Sequence, residues 1–449
     1  MDQTTEGILN NFAYLIEQLN FIPNAGLVTL SKRSQPPLFA QMVADYVDYF
    51  QSEQRRLEIV SRFLPALEKE MAWWTENRTA TVDDRTLFQY RTKANCPRPE
   101  AYSTDISDAL KSNLPHEYVW SNINSACESG WDFSSRWFRQ KGALNNTKST
   151  AMTVDIVPVD LNSFMCRNFA TLASFYRLLG NETMAHNYEE RYKSLKLAIE
   201  AVFWNNTQGI WLDYDLDKKA HRNGVYPSNF FPMYGNCTDM TDEKFRKISQ
   251  YIRDSGSLFK YPGGIPASLK VSGQQWDFPN AWAPLVHLLI EGFRISDRAY
   301  FRQFALNLTQ KWIRSNYLGF KLHNGAMWEK YNVTSDKGES GGGGEYKAEQ
   351  GFGWTNGAAL DLLVKYSNEL SLDFQDNCFK TQIDQSNLVI TGITLSLTVL
   401  FVGVIILWFG TKHCSTATEI QRKTADRLNE NKRIEITALL NSDTGEDSD

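Results

Sequence analysis

Apolar residues recur at helical spacing along most of the first 366 positions. Phe39, Met42, Val43, Tyr46, Val47 and Phe50 form one stripe; Leu57, Val60, Phe63, Leu64, Leu67 and Met71 form the next. Leu172, Phe175, Tyr176 and Leu179 follow, then Tyr188, Tyr192, Leu195, Ile199 and Val202. Further stripes run through Phe301, Phe304, Leu308 and Trp312, and through Leu360, Leu363 and Tyr366. The N-terminal stretch predicts an amphipathic helix with Ile8, Leu9, Phe12, Leu15, Ile16 and Leu19 on one face. Alternating polarity is scarce, so no large sheet is expected; GIWLDYDL around Trp211 predicts a short hairpin. Between the helices lie loops of another character: ESGWDFSSRW, DIVPVDLNSF, YPGGIPAS, QQWDFPNAW and GGGGEY. Paired helices alternating with polar, Gly- and Trp-bearing loops predict a helical toroid whose loops gather at one end.

After about residue 367 the pattern changes. Residues 368–387 are polar and read as a stalk, and 388–411 are uncharged and strongly apolar. At 1.5 Å per residue such a run covers a hydrocarbon core of about 30 Å, which predicts a spanning helix embedded in a lipid bilayer. It is not a cleaved lipid-anchor signal, because residues 412–449 follow it. Lys412, Arg422, Lys423, Arg427, Lys432 and Arg433 flank it on the C-terminal side, against Lys365 and Lys380 before it. The positive-inside rule then places 412–449 in the cytosol and the large domain outside the cell membrane. Glycosylation sequons at Asn77, Asn145, Asn181, Asn205, Asn236, Asn307 and Asn332 all precede the apolar run. Yet MDQTTEGILNNFAYLIEQ has neither a cationic start nor an apolar core and is no secretory signal. An exported domain without an export signal is expected to begin inside a longer protein.

Composition narrows the chemistry. The net charge of −5 and the lack of a basic stripe interleaved with aromatics exclude a nucleic-acid partner. Six cysteines lie far apart, and no pair has zinc-ligand or redox spacing, so no metal, thiol chemistry or cofactor is expected. The 13 Trp and 19 Tyr residues suit the flat faces of sugars, although a large core also consumes aromatics.

The string Gln275-Trp276-Asp277-Phe278-Pro279-Asn280-Ala281-Trp282-Ala283-Pro284 is long and rare, and closely resembles a signature of the trehalase family. The resemblance extends from residue 4 to about 366. It runs through Arg33-Ser34-Gln35-Pro36-Pro37, Arg98-Pro99-Glu100, Glu128 to Trp137, Pro158 to Asn162, Glu329-Lys330-Tyr331, Gly341 to Tyr346 and Gly351 to Gly357. It implies an all-α (α/α)6 toroid that hydrolyses α,α-trehalose to two glucoses with inversion. Residues 1–367 would be the catalytic domain. By the same resemblance Asp132 is the general acid and Glu329 the general base. Inverting hydrolysis needs such a pair, spaced about 6.5–9.5 Å apart to admit a water. Trp131, Phe133 and Trp137 could desolvate Asp132 and keep it protonated, while Arg136 would oppose that if it came close.

Each residue also has a plainer reading. Asp132 alone would be a helix N-cap, and Glu329 with Lys330 a surface ion pair. The family pattern assigns sugar contacts to Asn24, Arg33, Ser34, Gln35, Arg98, Pro99, Glu100, Gly130 and Glu345. The Gly341–Gly344 run lacks a phosphate loop's Gly-Lys-Ser/Thr ending and reads as a lid that carries Glu345 over the sugar. Trp276 and Asp277 could shape the loop or touch ligand.

The family's first signature, Pro-Gly-Gly-Arg-Phe followed by Tyr-Trp-Asp, is absent. Pro262-Gly263-Gly264 continues as Ile265-Pro266. The toroid is therefore expected to be incomplete at its N-terminus and the chain weakly active. The competing readings are a membrane-tethered inverting trehalase, a catalytically impaired truncated isoform, and a silent cell-surface sugar-binding protein. A toroid glycosidase acting on larger glycans is a remote fourth.

Overall fold

A computed structural model of the protein describes residues 2–139 and 147–371. The long helices are α1 (Asp2–Leu19), α2 (Phe39–Asp48), α3 (Glu53–Asn77), α4 (Tyr102–Lys111), α5 (His116–Glu128) and α6 (Val159–Leu178). They continue as α7 (Glu182–Phe203), the one-turn α8 (Phe231–Tyr234), α9 (Asp242–Gln250), α10 (Ala283–Arg294), α11 (Ala299–Leu322) and α12 (Gly353–Lys365). Sequence neighbours pair, α6 with α7 and α10 with α11, while α6 also meets α2 and α8, and α10 meets α8 and α12. Helix α6 is buried all round over residues 159–166 and then keeps one face, with Ser174 and Arg177, toward solvent, while α10 buries Leu285, Val286, Leu289, Ile290 and Phe293.

Local chemistry sets several boundaries. Ser52, Asn181 and Thr241 cap α3, α7 and α9 by accepting from the backbone N–H of Arg55, Met184 and Lys244. The stripes expected for α2, α3, α6, α7 and α11 mostly face the core; Phe301, Phe304, Leu308 and Trp312 are all buried. The stripe expected in α12 is different. Leu360 and Leu363 are 61% and 45% exposed, and Ala358, Ala359 and Leu362 pack inward instead. Small residues allow α12 to approach α10 closely, leaving the larger side chains on the outside.

The expected hairpin at Trp211 divides between two. Strands β4 (Trp204–Asn205) and β5 (Ile210–Trp211) form one, and β6 (Tyr214–Asp215) pairs with β7 (Ala220–His221) and β3 (Ile156–Val157). Strands β1 (Thr79–Val82) and β2 (Arg85–Phe88) form another hairpin. The pairing that matters most joins β8 (Asn280–Trp282) to β9 (Lys330–Asn332), with Trp282 opposite Lys330. Cys166 in α6 is disulfide-bonded to Cys237 just beyond α8.

Among the described residues no helix is long and apolar enough to cross a membrane. The expected span 388–411, the tail 412–449 and nearly all of the stalk lie outside those residues.

Candidate active site

Asp132 sits in the loop after α5, and that loop is held by the segment leading into β8. The buried carboxylate of Asp277 accepts from the Ser134 hydroxyl at 2.8 Å, the Ser135 N–H at 2.7 Å and hydroxyl at 3.0 Å, and the Ser268 hydroxyl at 2.6 Å. The Ser272 hydroxyl also donates to it. Asp277 therefore ties two loops together; these partners account for it as a loop clamp. Trp276 stacks on Trp282 at 4.0 Å between ring centroids and on Trp131 at 5.7 Å, and its backbone N–H donates to the Phe133 carbonyl. The aromatic load expected for sugar faces is thus partly spent within this stack.

Arg136 does not compete for Asp132. It is fully buried and donates to Asp160 at 2.6 and 3.1 Å and to Asp213 at 2.8 and 2.9 Å, between the faces of Trp131 and Trp137. Desolvation accordingly dominates at Asp132. Burial pushes its carboxyl up to about 7, the Arg98 and Arg33 cations pull against it, and the Glu345 charge adds to the rise. Such a group is protonated near neutrality and can donate a proton.

Glu329 immediately precedes β9 and is 2% exposed. Its carboxylate accepts from the Tyr346 hydroxyl at 3.0 Å and lies 3.5 Å from the Lys330 ammonium. Its own N–H donates to the Glu349 carbonyl at 2.9 Å. Lys330, fully buried, donates to the Gln275 side-chain oxygen at 2.8 Å, and the Gln275 amide nitrogen donates to the Asp132 backbone carbonyl at 2.6 Å. A continuous chain of polar contacts therefore links the two acidic residues. Both charges act on the same neighbours. Burial draws the Lys330 ammonium below its usual range while Glu329 and Asp132 oppose that, and burial with the same two charges pushes the Tyr346 phenol well up.

The expected sugar contacts divide by environment. Arg33, nearly buried, ion-pairs with Glu100 and donates to Asn124 at 3.2 Å. Arg98 forks onto Asp105 at 2.7 and 2.9 Å, lies over the Phe133 ring, and comes within 3.6 Å of Glu345. Glu345 also pairs with Lys148; burial alone would raise its carboxyl, but Lys148 and Arg98 outweigh that and hold it low. Gln35 lies against Gly130, whose φ of +76° is a left-handed conformation. Asn24 and Ser34 are engaged locally: the Asn24 amide donates to the carbonyls of Ser34 and Cys127, and the Ser34 hydroxyl to that of Ile22. Pro99 is exposed at the start of a short turn over Pro99–Ala101. Gln275, Lys330, Tyr346 and Lys148 were not anticipated as site residues; Lys330 in particular follows a Glu and so has the sequence signature of a surface pair.

One His–carboxylate cluster occurs among the described residues, formed by His287 and Glu291 of α10 with Asp361 of α12. Lys365 already bridges both carboxylates, at 2.9 and 2.8 Å.

The trehalase family profile matches residues 1–367. The chain is 37% identical to the trehalase of Apis mellifera over 385 residues, covering 83% of this chain and 60% of that protein. It is 40% identical to the trehalase of Oryctolagus cuniculus over 380 residues, covering 83% and 63%. It thus spans somewhat under two thirds of the length of these relatives. Among solved structures it is similar to the neutral trehalase of Saccharomyces cerevisiae, with a TM-score of 0.64 at 20% identity, covering 81% of this chain and 68% of that one. That likeness shows the helical-toroid fold, and the profile match shows that the chain belongs to the trehalase family.

Proposed function

We propose that this chain carries the reacting carboxylates of an inverting α,α-trehalose hydrolase. Asp132 protonates the glycosidic oxygen, and Glu329 takes the proton of a water attacking the anomeric carbon. The observation that carries this reading is the pairing of a carboxyl raised to about 7 with a buried carboxylate on the same polar chain. Arg33 with Glu100, Arg98 and Glu345 supply charged groups for sugar hydroxyls. Asn24 and Ser34 support the loop that bears Arg33, and Gln35 and Gly130 shape the space beside it.

An impaired, incomplete toroid is a second reading, favoured by the outward-facing Leu360, Leu363 and Val364 of α12. The Cys166–Cys237 bond supports an oxidising setting for the domain, in keeping with an extracellular domain anchored by residues 388–411.

Glucose release from trehalose tests the mechanism. Asp132→Asn and Glu329→Gln should each lower turnover about 10²–10⁴-fold. NMR of the first products should show equal α- and β-glucose; two α-glucose molecules would sink the inverting assignment. Adding an upstream segment that carries the family's first signature should raise turnover if the toroid is incomplete.

A further inference from the structure

The proposed chemistry needs its two carboxyl groups held at a fixed gap, yet they reside on different segments. Asp132 is on the loop after α5, and Glu329 stands at the entry to β9. The inference below rests on the proposed reading of those two residues. Gln275 spans between the segments. Its amide has one orientation that satisfies both ends, with the oxygen toward Lys330 at 2.8 Å and the nitrogen toward the Asp132 carbonyl at 2.6 Å. Its backbone is fixed as well, because its carbonyl accepts from the Asn280 amide at 2.9 Å and the Trp282 indole at 2.8 Å. Lys330 is locked by strand pairing opposite Trp282, and its ammonium lies over the Trp282 and Tyr346 rings. Burying an ammonium is unfavourable unless it serves its neighbours. Here it faces Glu329, Gln275 and the two rings, with no exposure to solvent. The glycine loop rests directly on this arrangement: a Cβ at Gly344 would lie 2.8–3.0 Å from three carbons of the Gln275 side chain.

We propose that Gln275 and Lys330 are positioning residues, a strut that sets the distance between the acid and the base, with Lys330 as the cationic partner of Glu329. Neither needs to touch substrate. Loss of the strut should therefore reduce turnover rather than binding. The groups facing Glu329 are Lys330 and the Tyr346 hydroxyl, with the Glu349 N–H 3.5 Å away. Of these, Lys330 alone is cationic.

The test is steady-state kinetics with trehalose across pH for wild type, Gln275→Leu and Lys330→Met, together with thermal unfolding. Gln275→Leu should lower kcat roughly 10²-fold with KM little changed. Lys330→Met should lower kcat to a similar extent, again with KM little changed. Unchanged kcat in both variants overturns the proposal. So does a loss of kcat that tracks falling stability while KM rises, since that is the behaviour of a packing residue. If wild type releases no glucose, the proposed function fails on its own account. The strut is then judged by a double-mutant cycle in unfolding: the losses of Gln275→Leu and Lys330→Met should be less than additive in the double variant, and strictly additive losses overturn it.

Discussion

At the residue scale the controlling quantity is the proton on Asp132. Its carboxyl is raised to about 7, foremost by burial, so activity that depends on it as an acid should fall as pH climbs through that value. Glu345 contributes to the rise through its negative charge. Glu345→Gln should therefore shift the basic limb of the pH profile to lower pH, and a limb that moves upward or stays fixed would refute this electrostatic account. A stability consequence has the same origin. A carboxyl raised in the folded state adds stability only while protonated, and that contribution is lost as pH rises from the unfolded value of 3.8 toward about 7. Asp132→Asn removes the titration. The variant should be catalytically dead yet unfold at a higher temperature than wild type near pH 8, with the advantage vanishing near pH 4, as differential scanning calorimetry would reveal.

At the element scale the loops depend on a few buried anchors. Asp277→Ala leaves the hydroxyls of Ser134, Ser135, Ser268 and Ser272 without their shared acceptor. Unpaired buried groups cost about 1–3 kcal/mol each, so the variant should show both a lower melting point and faster proteolysis of the 129–139 loop. Hydrophobic periodicity made α2, α3, α6, α7 and α11 legible, because each buries large residues along one stripe. It failed in α12, where Ala358, Ala359 and Leu362 make the close contacts and the leucines expected inward face outward. It also gave no sign of the β8–β9 pairing. Strands of three residues carry no alternation to detect, and their partner is remote in sequence. That pairing is what brings Lys330 beside Trp282 and within reach of Gln275. Asp132 and Glu329 could be named from the surrounding strings, but their electrostatic environment could not, since Arg136 is drawn away by Asp160 and by Asp213, an aspartate in a segment the motifs did not cover.

At the scale of the whole molecule, the Cys166–Cys237 bond closes a loop with a sequence separation of 71 residues, worth about 4 kcal/mol on a chain-entropy account. Cys166→Ser should lower the denaturant midpoint accordingly. If the domain is exported, as proposed, the bond also bears on its maturation. Cys237 is the middle residue of the Asn236-Cys237-Thr238 sequon, and once bonded both Cys237 and Thr238 are buried while Asn236 remains outside. An oligosaccharide can be transferred only to a sequon still open to the transferase, so in a domain exported as proposed above, sulfur oxidation and sugar attachment would be rival events on one tripeptide during synthesis. Slowing oxidation in secreting cells, or removing Cys166, should increase the fraction of chains bearing a glycan at Asn236, measurable as a mass shift on the peptide that contains it.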